Sequence, residues 1–275
     1  MLRQRVITAV ILVTGLLAAL IWLPLVGFDL LLLLVVLAGA WEWATLAGVG
    51  MAPLRFGFQS VLLLSCGLLL LQGGSWLQWL LLAAVLWWPC ALYCILRQPQ
   101  PVWLLRQPAA LLIAGWFVLV PSWLAVYWLQ RLPGERLFHV LWFIALVAAA
   151  DTGAYFAGKA FGRRKLAPLV SPNKTWEGLV GGMIATAIVA LAGARLGPSP
   201  ALHDISAFVV VPAALLLAVY SVVGDLFESL LKRTRSLKDS GTLLPGHGGV
   251  MDRLDSITAA LPLFVLLLLH VTGMP

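Results

Sequence analysis

The sequence predicts an all-α, polytopic integral membrane protein with about nine transmembrane helices. Three observations predict it. Apolar residues make up 62% of the 275 residues, above the roughly 45–50% of a soluble domain. Charged residues make up 11%, against roughly 25%. The apolar residues also fall in continuous runs near the length, about 20 residues, at which a helix crosses the hydrocarbon. So few charges cannot cover a soluble domain of this size. Disorder requires low hydrophobicity, and transmembrane strands would alternate polar with apolar residues.

Nine runs are read as spans: 6–26, 30–48, 57–73, 76–96, 109–129, 137–157, 178–197, 206–225 and 257–273. The first follows the basic start Met1-Leu-Arg-Gln-Arg5. It is too long for a cleaved signal peptide and lacks an A-x-A site, so it is read as a retained span. The second carries Glu42 near its cytoplasmic end, where the carboxylate is expected to reach water in a structural role. The third is the shortest. Trp41, Trp43, Trp87, Trp88 and Trp103 suit interfacial belts. Cys66, Cys90 and Cys94 lie in apolar runs without a C-x2-C pair, so ordinary helix packing is expected of them. The sixth span ends with Asp151, and the eighth ends at Asp225.

Charge sets the orientation. With the N-terminus cytoplasmic and nine alternating spans, 15 of the 18 Lys and Arg fall on the cytoplasmic side. Only Arg131, Arg136 and Arg195 fall opposite, as does the C-terminus. The expected location is the cytoplasmic (inner) membrane. The net charge of +7 suits positive-inside loops, anionic lipid or an anionic substrate, and no nucleic-acid partner is expected. Two regions follow. Residues 1–136 hold about five spans and few polar groups. Residues 137–275 hold about four spans and two cytoplasmic segments, 158–177 and 226–256, expected to carry the chemistry.

Three polar clusters converge on that face. The first is Asp151-Thr-Gly-Ala-Tyr155-Phe-Ala-Gly158. A carboxylate at membrane depth costs several kcal/mol unless paired or hydrated, which marks Asp151 as functional. Ala154, Gly158 and Gly162 recur every four residues, a smooth stripe for close packing of another helix. The second cluster is Ser171-Pro-Asn173-Lys174-Thr175-Trp-Glu177-Gly178. Its donors precede a helix N-terminus, which favours an anion. Thr175 also reads as a plain helix cap, and Arg163-Arg164-Lys165 as a positive-inside anchor.

The third cluster starts with Asp225, Glu228, Ser229 and Lys232, at i, i+3, i+4 and i+7 on one face of a helix leaving the membrane. Arg233, Lys238 and Asp239 follow, then Pro245-Gly-His247-Gly-Gly249. Asp252-Arg253-Leu-Asp255 comes just before the last span. Carboxylates converging from two segments hold Mg2+, usually while it also binds substrate phosphates. Adjacent Lys and Arg neutralise the remaining phosphate oxygens. The chemistry indicated is a metal-dependent phosphoryl or nucleotidyl transfer to a lipid.

The stretch Ser229-Leu-Leu-Lys232-Arg233-x4-Lys238-Asp239-x6-Gly246-His247-Gly248-Gly249-Val250-Met-Asp252-Arg253-Leu254-Asp255 resembles, over about 27 ungapped residues, the signature of the phosphatidate cytidylyltransferases, or CDP-diacylglycerol synthases. Asp151-x2-Ala-Tyr155-x2-Gly158 and Ser171-Pro-x-Lys174-Thr175-x-Glu177-Gly178 are similar to the same family. Residues 1–136 add only compatible hydropathy.

The resemblance implies that CTP and phosphatidate give CDP-diacylglycerol and pyrophosphate, with Mg2+ and a second cation such as K+. It implies Asp225 and Asp252 as metal ligands. Lys232, Arg233, Lys238 and Arg253 would hold phosphates. Ser229, Ser171, Asn173, Lys174 and Thr175 would bind nucleotide or lipid phosphate, with Asp151 in the substrate site. Asp239 would orient these cations or join the metal shell. His247 would be either a phosphate donor or a loop-fixing residue. No general base is needed, since the phosphatidate nucleophile is already ionised near neutrality. A homodimer in the lipid bilayer is favoured by the resemblance and permitted by the small-residue stripe. The competing readings are a CTP-dependent polyprenol or lipid kinase and, from another class, an anion or lipid transporter.

Overall fold

A computed structural model describes residues 2–72, 76–100, 102–132, 136–198 and 200–272. Its order is α1 (Leu2–Trp22), α2 (Leu25–Leu46), α3 (Ala52–Leu71), α4 (Leu77–Leu96), α5 (Pro108–Leu129), α6 (Arg136–Phe161), β1 (Lys165–Ala167), β2 (Ser171–Thr175), α7 (Trp176–Leu196), α8 (Pro200–His203), α9 (Ala207–Thr234) and α10 (Met251–Thr272). Among the described residues eight helices are long and apolar enough to cross a membrane, and Ile7–Trp22 of α1 is a shorter apolar helix. Residues 73 and 273, the expected ends of two spans, lie outside the described residues.

The apolar runs mark the spans to within about five residues; the first, 6–26, crosses the break between α1 and α2 at 23–24, and two further departures shape the site. Helix α9 continues past the apolar run to Thr234, so Asp225, Glu228, Ser229 and Lys232 all ride on it. Helix α10 starts at Met251, so Asp252 and Asp255 lie in its first turns rather than in the loop before it. Hydropathy finds where a helix enters lipid. It does not find where the helix itself ends.

The segment between α6 and α7 is a small antiparallel hairpin. Lys165 pairs with Thr175 and Ala167 with Ser171. Pro168 suits the turn, closed by the Val170 amide donating to the Ala167 carbonyl at 3.1 Å. The Thr175 hydroxyl then caps α7, accepting from the Gly178 amide at 3.1 Å.

Helices α6 and α7 pack through small residues. A Cβ placed on Gly178 would stand 2.9 Å from the Ala154 carbonyl oxygen, and one on Gly182 would stand 2.6 Å from that of Ala150. The small-residue stripe of α6 is therefore used inside the chain, and the expected dimer draws no support from it. Helix α10 packs on α9 and also against α4 and α5, joining the two regions.

The tryptophan expectation is corrected in part. Trp43 and Trp88 are buried. The Trp43 indole N–H donates to the Leu111 carbonyl at 2.7 Å, and Trp43, Trp87 and Trp88 surround Phe227 of α9. Trp103 is exposed, as an interfacial residue would be. Cys66 and Cys94 are buried and all three cysteines are free.

Candidate active site

Asp151, Tyr155, Gly158 and Lys159 of α6, Ser171, Asn173, Lys174 and Thr175 of β2, and Asp225 of α9 line one cavity of about 650 Å³. Leu166, Leu179 and Val222 give it an apolar side. The first two sequence clusters and the start of the third therefore meet in one place. Asp151 opens to this cavity rather than to lipid, within electrostatic reach of Lys174 and Asp225. Lys174 Nζ lies 2.6 Å from Asp225 Oδ2, and the Ser229 hydroxyl donates to Asp225 Oδ1 at 3.2 Å.

Farther along α9 stands a second lysine–carboxylate pair. Lys232 Nζ lies 2.5 Å from Asp252 Oδ1 and 3.6 Å from Glu228 Oε1. Asp252 Oδ2 accepts from the Ser240 amide at 2.9 Å, the Ser240 hydroxyl at 3.0 Å and the Gly249 amide at 2.8 Å. Glu228 is buried. Asp255, in the first turns of α10, is within electrostatic reach of Asp225 and Lys232 and beside Glu228. Close packing makes this possible: a Cβ on Gly224 would stand 2.8 Å from the Ala259 Cβ, so α9 and α10 come nearly into backbone contact.

The loop from 235 to 250 is tied down at several points. Gly246 and Gly248 take positive φ of 76° and 82°, a region favourable to glycine. The His247 carbonyl accepts from Arg253 Nη2 at 2.9 Å, and the Thr8 hydroxyl of α1 donates to the Pro245 carbonyl at 2.9 Å. His247 Nδ1 is buried without a hydrogen-bond partner. Arg235 reaches back to the Leu46 and Ala47 carbonyls at 3.1 and 2.7 Å, a cation on the C-terminus of α2.

Not every expected residue lines the cavity. Arg233, Lys238, Asp239 and Arg253 are exposed, on α9, the loop and the start of α10. Thr175 does line it, but its hydroxyl is engaged as the α7 cap. The Glu177 carboxylate accepts from the Arg163 and Arg164 amides at 3.0 and 3.2 Å, so it closes the turn after α6. Sequence reasoning missed Lys159 and Ser240. Lys159 carried a signal, since it lies two turns beyond Asp151 on the same helix. Glu42 corrects its expectation: it is 2% exposed rather than water-facing, because the loop before α10 folds over it.

Among the described residues no three His, Cys, Asp or Glu side chains converge as a ready-made metal cage. Mg2+ rarely uses one. It takes one or two carboxylates, keeps waters and shares substrate phosphates. The donor set fits that mode. Each Asp225 oxygen accepts one partner and keeps a lone pair free. Asp252 Oδ2 accepts from the Ser240 and Gly249 amides and shares the Ser240 hydroxyl proton, while Oδ1 accepts from Lys232 alone and keeps a lone pair that suits a cation.

Residues 3–271 match the model of the cytidylyltransferase family. A phosphatidate cytidylyltransferase of Pseudomonas aeruginosa is 40% identical over 98% of this chain and 97% of its own. One from Haemophilus influenzae is 38% identical over 96% and 97%, and one from Brucella suis is 37% identical over 96% and 92%.

Proposed function

The chain belongs to the cytidylyltransferase family, and from that membership we propose that it transfers CMP from CTP to phosphatidate, giving CDP-diacylglycerol and pyrophosphate. It is an integral membrane nucleotidyltransferase of phospholipid biosynthesis. The observation that carries the assignment of the site is the Lys174–Asp225 pair facing a cavity with one polar and one apolar side. Such a cavity suits a lipid phosphate, whose head needs cations and whose tail needs hydrocarbon.

A phosphate oxygen of phosphatidate attacks the α-phosphorus of CTP. The bond from that phosphorus to the α–β bridging oxygen breaks, and its electron pair leaves with pyrophosphate. The protein's part is positioning and charge neutralisation. Lys174 and Lys159 draw the lipid phosphate into the cavity, with Ser171 and Asn173 as hydrogen-bonding partners. Lys232 stands at the second pair to take phosphate oxygens of the nucleotide. Asp151 and Asp225 hold Lys174 oriented, and Asp252 does the same for Lys232. Arg233, Lys238 and Arg253, on the exposed rim, gather the triphosphate, and Asp239 orients them. Asp225, with Asp252 through Oδ1, would hold Mg2+, which supplies positive charge to the phosphates when bound; a second cation such as K+ is part of the same proposal.

The charge split supports a location in the cytoplasmic membrane with the site facing the cytoplasm. The chain contacts agree with alternating spans. Thr8 near the start of α1 meets Pro245, while Arg136 at the start of α6 meets the Leu20 and Leu23 carbonyls at the other end of α1. A homodimer rests on family resemblance alone.

The test uses purified protein in mixed micelles of phosphatidate with Mg2+ and CTP labelled at either the α- or the γ-phosphorus. The expected result is label in the lipid from α-labelled CTP only, with one pyrophosphate released per lipid. Lipid labelled from the γ-position would instead identify a kinase, and no turnover would remove the assignment.

A further inference from the structure

Glu42 is one of two carboxylates, with Asp29, in the apolar helix α2, in the region that carries no motif. It is 2% exposed. Its Oε1 accepts from the Val250 amide at 3.1 Å, and its Oε2 accepts from the Met251 amide at 2.9 Å and the Ser240 hydroxyl at 2.9 Å. The two amides are free donors at the start of α10, where a negative charge is favoured. The Ser240 hydroxyl also lies 3.0 Å from Asp252 Oδ2, so its single proton serves either carboxylate. The loop is shaped around this contact. A Cβ on Gly241 would stand 2.6 Å from Glu42 Cδ, and one on Gly249 would run into the Ser240 hydroxyl and the Glu42 carboxylate.

A buried carboxylate is a costly anchor, and an apolar side chain would hold two helices together at less cost. What an apolar side chain cannot do is collect three donors from the segment that builds the Asp252 site. We propose that Glu42 is a positioning residue for the transfer reaction, acting through Ser240 and the first amides of α10 to set the direction of the Asp252 carboxylate. The inference rests on the reading above that Asp252 works in the reaction. It extends the active site into the N-terminal region, where the motifs do not reach.

The test compares Glu42→Gln, Ser240→Ala, Asp252→Asn and the Glu42→Gln/Asp252→Asn double variant, each in full-length purified protein. Glu42→Gln keeps the shape but turns an NH2 group toward a donor. It should lower kcat by roughly ten- to a hundred-fold, the usual effect of losing the partner of a functional ligand, with KM for CTP little changed. Ser240→Ala removes only the bridge and should lower kcat by about ten-fold with Tm near wild type. In the Asp252→Asn background, Glu42→Gln should add little. Amide hydrogen exchange should quicken at 249–252 in Glu42→Gln and stay unchanged in α7.

A lowered Tm with wild-type turnover per folded molecule, or fully additive losses in the double variant, would make Glu42 a structural anchor and overturn the inference. If Glu42→Gln fails to fold, Ser240→Ala decides, and normal kcat there overturns it. Wild-type turnover of Asp252→Asn would overturn the reading of Asp252 and this inference with it. An inactive Asp252→Asn beside normal Glu42→Gln and Ser240→Ala overturns the inference alone.

Discussion

Opposite ends of the helix bundle each hold a carboxylate paired with a cation, and they differ in what surrounds the pair. At one end Asp29 of α2 meets Arg131, and Gln130 donates to the same carboxylate. Arg131 also lies over the Tyr127 ring, 3.5 Å from its centroid, and donates to the Tyr127 carbonyl at 2.6 Å. Asp29 and Gln130 are buried, and the cluster does not line the cavity of the candidate site. At the other end Lys174 and Asp225 form an equally close pair that opens on about 650 Å³. The chemistry of the two pairs is alike. The difference teaches that a partly buried ion pair says little about function until the space beside it is known. A pair with no cavity beside it locks helices together, while a pair that opens on a cavity is a cation and an anion held ready for a third charged group.

The largest effect that could break this comparison is at the carboxylates of the open end. Asp225→Asn and Asp252→Asn should each lower turnover by about two orders of magnitude or more, roughly 2.7 kcal/mol of transition-state stabilisation. The double variant should be scarcely worse than either single, because groups acting as one unit lose their function together. Steady-state kinetics at saturating Mg2+ checks this, and additive losses would mean that the two pairs work separately.

A smaller loss, sharper in what it distinguishes, is expected at the lysines. Lys174→Ala and Lys232→Ala should each lower kcat/KM by about ten- to a hundred-fold, since charge-assisted bonds in a shielded site contribute roughly 1.5–3 kcal/mol. Lys174→Ala should raise KM for phosphatidate more than for CTP, and Lys232→Ala the reverse. Equal effects on both substrates would merge the two pairs into one subsite.

The smallest effect concerns Thr175, which lies at the cavity but caps α7. Thr175→Ala should cost about 1 kcal/mol of stability, seen as a lower Tm. Thr175→Ser keeps the capping oxygen and should restore it. A large loss of turnover in the serine variant would give Thr175 a substrate contact that its hydrogen bond to Gly178 does not require.

Much of this was legible in the sequence, and what was not has a common cause. Continuous apolar runs placed the spans, because the bilayer sets one length for all of them. The spacing of Asp225, Ser229 and Lys232 placed them on one helix face, where the structure has them. The partners across helices were not legible. Nothing in the spacing joins Glu42 to Ser240, or Lys174 to Asp225, since periodicity reports only neighbours along one helix. Asp255 turns inward toward Asp225 and Glu228 because α10 begins before it, which the spacing along the sequence does not show. The two-stranded hairpin was hidden in a segment too short and too proline-rich to show a strand pattern.

The most direct test of the central claim sets Asp29→Asn beside Asp225→Asn, measuring thermal stability and CMP transfer per folded molecule in the same micelles. Asp29→Asn should lose about 1–3 kcal/mol, less than the roughly 3–5 of a fully buried broken pair, because the Arg131 side chain is 23% exposed. Its Tm should fall by several degrees while its transfer rate stays near wild type. Asp225→Asn should keep its Tm and lose transfer by about a hundred-fold. A normal transfer rate in Asp225→Asn, or a loss in Asp29→Asn as deep as that expected of Asp225→Asn, would contradict the account.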